Sequence, residues 1–196
     1  MSRTLMAVAL TLALSTMAEA QDAAVATQRD ANQQERIEQG LQSGQLSTKE
    51  AGQLERQEQH VDRQEAKDLK NGPLTSQEKA QLSREQNQVS RNIDQDKHNA
   101  VTGNPNSASS RRMQADVQRN ANQQQRIANG VKSGQLTNKE AGHLEGGQAH
   151  VNRTEANAAA NGHVGAKEQA RIQGKENNQS KRIYDKKHND KERANP

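Results

Sequence analysis

A tandem duplication constrains this chain more than any other feature. Shifting the sequence by 90 residues lays Ala31–Asn99 on Ala121–Asn189 without a gap, and about 32 of the 69 paired positions are identical. ANQQ recurs at Ala31 and Ala121, SGQL at Ser43 and Ser133, KEAG at Lys49 and Lys139, and Lys-His-Asn at 97–99 and 187–189. Whatever folds must be one unit made twice. The period exceeds the ~20–50 residues of solenoid repeats, so each unit is long enough for a small bundle of its own. Between the copies, Ala100–Arg111 (AVTGNPNSASSR) is rich in Gly, Pro, Asn and Ser and lacks a hydrophobic period, which reads as a flexible linker. The expected organisation is a leader at 1–20, unit one at 21–99, a linker at 100–116, unit two at 117–189 and a basic tail at 190–196.

Punctuation inside each unit is regular. Ser47 is followed three positions later by Glu50, and Thr75 by Glu78, each just after a glycine, Gly44 or Gly72. A hydroxyl followed by Glu at that spacing is a capping box. The hydroxyl accepts from an exposed N–H at the helix start, and the Glu reaches back to the cap's own N–H. The preceding glycine can end the earlier helix in a left-handed conformation. Unit two keeps Thr137 with Glu140, but Gly165 replaces the hydroxyl residue before Glu168. Three helices per unit follow in unit one, about Thr27–Gln42, Thr48–Lys70 and Ser76–His98. Ile37 and Leu41, then Ala51, Leu54 and Val61, then Leu82, Val89 and Ile93 form narrow apolar stripes at helical spacing. The fold class expected is all-α, two tandem three-helix units. The Gln-, Glu- and Asn-rich remaining faces read as solvated. Such thin stripes make each unit marginal alone, so the units pack together or the chain forms a homodimer.

Composition narrows the function. Hydrophobic residues are 29 % of the chain, with one Tyr, no Phe, no Trp and no Cys, against ~45–50 % apolar usage in ordinary domains. Without aromatics, each of which buries roughly 150–250 Å², a thick core around an enzyme pocket is not available. No G-x-S-x-G, P-loop, H-E-x-x-H or dinucleotide fingerprint is present, so a non-enzymatic role is expected. The net charge is +4, but acids interleave with the basic residues and aromatics for base stacking are lacking, which argues against nucleic acid. Met1–Ala20 carries Arg3, an apolar run from Leu5 to Leu14 and a small-x-small ending at Ala18-Glu19-Ala20. That pattern predicts a leader cleaved between Ala20 and Gln21 and a periplasmic destination. The run is shorter than the ~20 residues that span a bilayer, and no later stretch approaches that length, so no transmembrane segment is expected in the mature chain.

Two residue sets suggest metal chemistry. The turn strings match the second half of an EF-hand loop, whose final Glu is a bidentate calcium ligand: Glu50, Glu78, Glu140 and Glu168 stand in that place. The first half is missing, because the acidic positions hold residues such as Gln39, Leu41 and Ser43. Helix capping explains the same Gly, hydroxyl and Glu without an ion. His60 and His150 recur through the duplication, as do His98 and His188. A multi-helix site for Zn or Cu could combine these with Glu58, Glu65 and Glu155; the competing reading for His98 and His188 is a helix C-cap.

The whole repeat, with SGQLTNKEAGHLE and the ending SKRIYDKKHN at Ser180–Asn189, resembles uncharacterised exported helical-repeat proteins of Gram-negative bacteria. The resemblance implies a periplasmic location and helical architecture, and it carries no site residues with it. The function expected is a non-enzymatic periplasmic helical protein acting by protein or ion interaction, in envelope stress and with envelope proteins as partners. The alternative is a divalent-metal or calcium buffer, with Ca, Zn or Cu as the ion.

Overall fold

The computed structural model describes residues 3–190, with side-chain surroundings from Gln21 to Asp190. The expected leader at 1–20 therefore lies outside the described side chains, as do residues 191–196 of the expected tail. The described chain is all-α. Six helices follow in order: α1 (Arg3–Ser43), α2 (Thr48–Lys70), α3 (Ser76–Lys97), α4 (Ala108–Lys132), α5 (Asn138–Ala158) and α6 (Ala166–Lys187). Among them no helix is long and apolar enough to cross a membrane.

The predicted punctuation is where the helices stop and start. Gly44 and Gly134 take φ of +76° and +79°, and the Leu46 and Leu136 N–H groups donate back to Gly40 O and Gly130 O, each at 2.9 Å. These bonds satisfy carbonyls that a helix end leaves open. The leucine then folds over the glycine: a Cβ on Gly40 would lie 2.5 Å from Leu46 Cδ1. Full capping boxes form at Ser47 with Glu50, Thr75 with Glu78 and Thr137 with Glu140. Gly165 has no hydroxyl to offer, so α6 keeps only the return bond from its N–H to Glu168 Oε2, at 2.7 Å. The linker is shorter than the sequence suggests. Ser107 caps α4, so residues 108–116 are helical, and the Gly103 N–H donates to Gly44 O at 2.9 Å.

Equivalent helices of the two units pair with each other. The most extensive packing is α2 on α5 and α1 on α4, while α3 lies against α1 and α2, and α6 against α4 and α5. The result is a central four-helix layer with one outer helix per unit. Reciprocal contacts reveal a pseudo-two-fold axis. A Cβ on Gly52 would lie 2.5 Å from Ala159 Cβ, and one on Gly142 would lie 3.0 Å from Leu69 Cβ. The duplication maps each of these pairs onto the other: early α2 meets the end of α5 in one and late α2 meets early α5 in the other, so the helices run antiparallel. Arg36 Nη1 donates to Ser90 Oγ at 2.5 Å and Arg126 Nη1 to Ser180 Oγ at 2.8 Å, the same bond in each unit.

The apolar core is split into two clusters, each built from both units. One gathers Ile37, Leu41, Leu54, Met113 and Ile172, among others; the other gathers Leu69, Leu82, Ile127, Leu144 and Ile183. They occupy opposite ends of the α2–α5 pair. Gly52→Val tests the close approach at one end. Overpacking there should lower stability by about 1–3 kcal/mol, seen as a lower urea midpoint; an unchanged midpoint would show that the helices can move apart freely.

Candidate metal centre

The stretch between the two apolar clusters is polar and dry. Asp30, Glu55, Glu58, Asp62, Glu65, Glu145 and Glu155 are all 0 % exposed. This overturns the expectation that the polar faces are solvated. The cause is the pairing of units: the second copy supplies a helix wherever the first would have met water. On α2 the acids at 55, 58, 62 and 65 are spaced three and four apart, so they share the inward side with Leu54, Val61 and Leu69. Among the described residues no Lys, Arg or His nitrogen comes within 4.0 Å of these seven carboxylates.

Asp30, Asp62 and Glu145 converge most tightly, each offering an oxygen within 4.8 Å of the others. Side-chain amides surround them. Gln86 donates to Asp30 Oδ1 at 2.7 Å, Gln124 to Asp62 Oδ1 at 3.1 Å and Asn152 to Asp62 Oδ2 at 2.8 Å. The Thr27 hydroxyl lies 3.1 Å from Glu65 Oε1 and 3.2 Å from Ala23 O, within reach of either acceptor. These donors do not suffice. Asp30 Oδ2, Glu65 Oε2 and both oxygens of Glu58 and of Glu145 have no hydrogen-bond partner, and neither has Gln124 Oε1. Gln124 and Thr27 stand close enough to Glu145 to favour its charged form, but their hydrogens serve the acceptors just named. Asp30 and Glu65 can bond to each other only when one holds a proton.

Electrostatics follow from that shortage. Burial pushes Asp30 up to about 6, against the pull of Glu65, Gln86 and Arg29, and pushes Glu55 to about 7 and Glu145 to about 8. Glu58, Asp62, Glu65 and Glu155 rise well above the ordinary carboxylate range, first by burial and then by repulsion from neighbouring acids. A second acidic pair lies towards α6. Asp116 and Glu176 are raised by burial to about 7 and about 8, and Arg119 Nη1 stands 3.6 Å from Glu176 Oε2. Such a core needs protons or a metal cation. Its carboxylate and amide oxygens, with no sulfur or imidazole among them, form the donor set that suits hard ions such as Ca²⁺, Mg²⁺ or Mn²⁺.

The turn glutamates are engaged elsewhere. Glu50 Oε2 accepts from the Ser47 N–H at 2.9 Å, and its Oε1 accepts from Asn99 at 2.8 Å; Glu140 repeats this with Thr137 and Asn189. The recurring Lys-His-Asn string thus ties the end of the third helix to the start of the second. Glu78 is held below its usual range by the Thr75 backbone N–H and hydroxyl. Glu168 serves Gly165. The structure does not bring these four together.

The histidines are all exposed and dispersed. His98 and His188 form the C-caps of α3 and α6, with Nδ1 2.7 Å from Asp94 O and 2.8 Å from Tyr184 O. His60 faces solvent. His150 sits between two surface depressions, one lined by Arg63, Lys67 and Lys70 and the other by Lys175 and Arg182, a setting that repels metal cations. Of the sequence candidates, Glu58, Glu65 and Glu155 do lie in the core. Asp30, Asp62 and Glu145 were missed; the available signal was that acids 58 and 65 continue the Leu54–Val61 stripe.

Comparison with protein-family models, curated proteins and solved structures finds no match, so the reading rests on this chain's own residues.

The raised carboxyls set the direction of the pH response. A group whose folded pKa lies above its unfolded value of ~4 stabilises the fold fully at low pH and loses that contribution as pH climbs through the folded value. In the presence of a chelator, Tm should be highest at about pH 4, near the unfolded value, and fall as pH rises towards the folded values of about 6 to about 8 held by Asp30, Asp116, Glu145 and Glu176. Differential scanning calorimetry from pH 4 to 8 checks this; a Tm that rises with pH would show that the core acids are not protonated in the fold.

Proposed function

We propose that this chain is a non-enzymatic, exported helical protein that takes up a divalent metal cation in its interior, in exchange for protons. The observation that carries the reading is the convergence of Asp30, Asp62 and Glu145, fully enclosed and without a basic partner. Ionised together they would repel one another in a medium that screens poorly. A doubly charged ion removes that repulsion and gives the unpartnered oxygens a partner. The ligands would be drawn from α1, α2 and α5, so the bound ion ties the two units across their pseudo-two-fold axis. Because the carboxyls must release protons to coordinate, uptake is tighter at neutral than at acidic pH. Buffering or sensing of a divalent ion fits such a site, and the leader-like segment at 1–20 supports the periplasm as its location.

A second reading, contact with acidic partners in the envelope, is favoured by the surface. Of the 22 Asp and Glu residues between Gln21 and Asp190, nine are at most 1 % exposed, which leaves 13 against 25 Lys and Arg among the described residues. The outside is thus far more basic than the net charge of +4 implies.

Isothermal titration calorimetry of chelator-stripped protein tests the first reading. At pH 7.5, CaCl₂ or MnCl₂ should bind with proton release, measured as a dependence on buffer ionisation heat, and Asp62→Asn should weaken binding at least tenfold. Absence of binding by Ca²⁺, Mn²⁺, Mg²⁺ and Zn²⁺ at millimolar concentration would overturn it.

A further inference from the structure

The duplication allows each core acid to be compared with its counterpart 90 residues later. Asp30 corresponds to Asn120, Glu58 to Gln148 and Asp62 to Asn152. All three changes replace a carboxylate by the amide of the same shape. Their flanking partners stay acidic, since Glu55 corresponds to Glu145 and Glu65 to Glu155. The pseudo-two-fold axis therefore relates the converging trio Asp30, Asp62 and Glu145 to Asn120, Asn152 and Glu55.

The two halves solve the same packing problem differently. In the amide half the NH₂ groups form a network, although Glu55 Oε1, Gln148 Oε1 and Glu155 Oε1 are left without partners. Asn120 donates to Asn152 Oδ1 and, at 3.2 Å, to Glu155 Oε2; Gln148 donates to Asn120 Oδ1; Gln34 donates to Glu55 Oε2 at 2.9 Å. In the acidic half the residues at 30, 58 and 62 have the same reach and, when ionised, no hydrogen to give. Both Glu58 oxygens end without a partner. A neutral group independent of the acids points to a ligand as well: the Gln124 amide, 1 % exposed, is anchored on Asp62 by its nitrogen, and its oxygen is left unpartnered beside the trio. The counterpart Gln34 is anchored on Glu55 in the same way, and its oxygen too is left unpartnered, so the acid-to-amide exchange at 30, 58 and 62 is what separates the two halves.

Resting on the cation reading above, we infer that the duplicated core holds one hard-cation site per chain, in the half built from Asp30, Glu58, Asp62 and Glu145 with the Gln124 carbonyl oxygen. In the pseudo-symmetric half Asn120, Gln148 and Asn152 stand in place of the acids and donate to Glu155, Asn120 and Asp62. Elsewhere the exchange runs the other way, since Gln86 corresponds to Glu176 and Ala26 to Asp116, so the second half carries its own buried acids towards α6. The ligands are oxygen only, so the class of ion is Ca²⁺, Mn²⁺ or Mg²⁺.

Stoichiometry tests this. Native mass spectrometry and calorimetry with CaCl₂ or MnCl₂ should count one ion per native chain. The variant Asp30→Asn/Glu58→Gln/Asp62→Asn should bind none and, stripped of metal at pH 8, should melt higher than the native chain. The reverse variant Asn120→Asp/Gln148→Glu/Asn152→Asp should bind two. Asn152→Asp alone, the milder change, should add a second, weaker ion and covers the case in which the triple variant does not fold by circular dichroism. Two ions on the native chain, one ion on a folded acid-restored variant, or full retention in the amide variant would each overturn this inference while leaving cation binding intact. No ion on the native chain would overturn both.

Discussion

Burial of carboxylates without basic partners is the constraint on which the rest of this structure depends. Seven acids share the middle of a four-helix layer, with apolar clusters closing both ends. Isolated charges in such a medium are strongly disfavoured, and amide donors from Gln and Asn reach only some of the oxygens. The interior must therefore be neutralised by protons or by a cation. That requirement links stability, pH and ligand binding in one small volume.

The duplication makes this arrangement attainable. One unit of three slender helices has too narrow an apolar stripe to close over a polar centre. Two units related by a pseudo-two-fold axis supply apolar surface at both ends and leave the centre enclosed. Glycines at 52 and 142 let α2 and α5 approach closely enough to exclude water. The same antiparallel pairing brings Asp62 of one unit within a hydrogen bond of Asn152 in the other. Phe and Trp are absent and the single Tyr, Tyr184, is exposed, so amides and carboxyls fill the middle of the layer instead of aromatic side chains.

Much of the fold was legible in the sequence because it was written in local chemistry. Capping boxes at Ser47, Thr75 and Thr137, left-handed glycines at 44 and 134, and the weakened start of α6 at Gly165 each depend on neighbours a few residues away. The linker was read as too long because Ser107, a plain N-cap, lies within a Ser- and Asn-rich string. The site was less legible. The histidines and turn glutamates drew attention because they recur, yet their recurrence reflects caps and the Asn99–Glu50 tie between helices. The working acids look like ordinary solvated helix residues until the partner unit is in place. Glu58 and Glu65 were nameable by spacing, whereas Asp30 joins them from α1 of the same unit and Glu145 only across the duplication axis. Here the informative sequence signal was subtler: acid in one copy, amide in the other, at matched positions.

Anomalous diffraction from crystals grown with Mn²⁺ is the most direct test of the central claim. The account predicts a single strong peak per chain enclosed between Asp30, Asp62 and Glu145, with none at Asn120, Asn152 and Glu55. A core without a peak under saturating Mn²⁺, or peaks only at the turn glutamates or histidines, would contradict it.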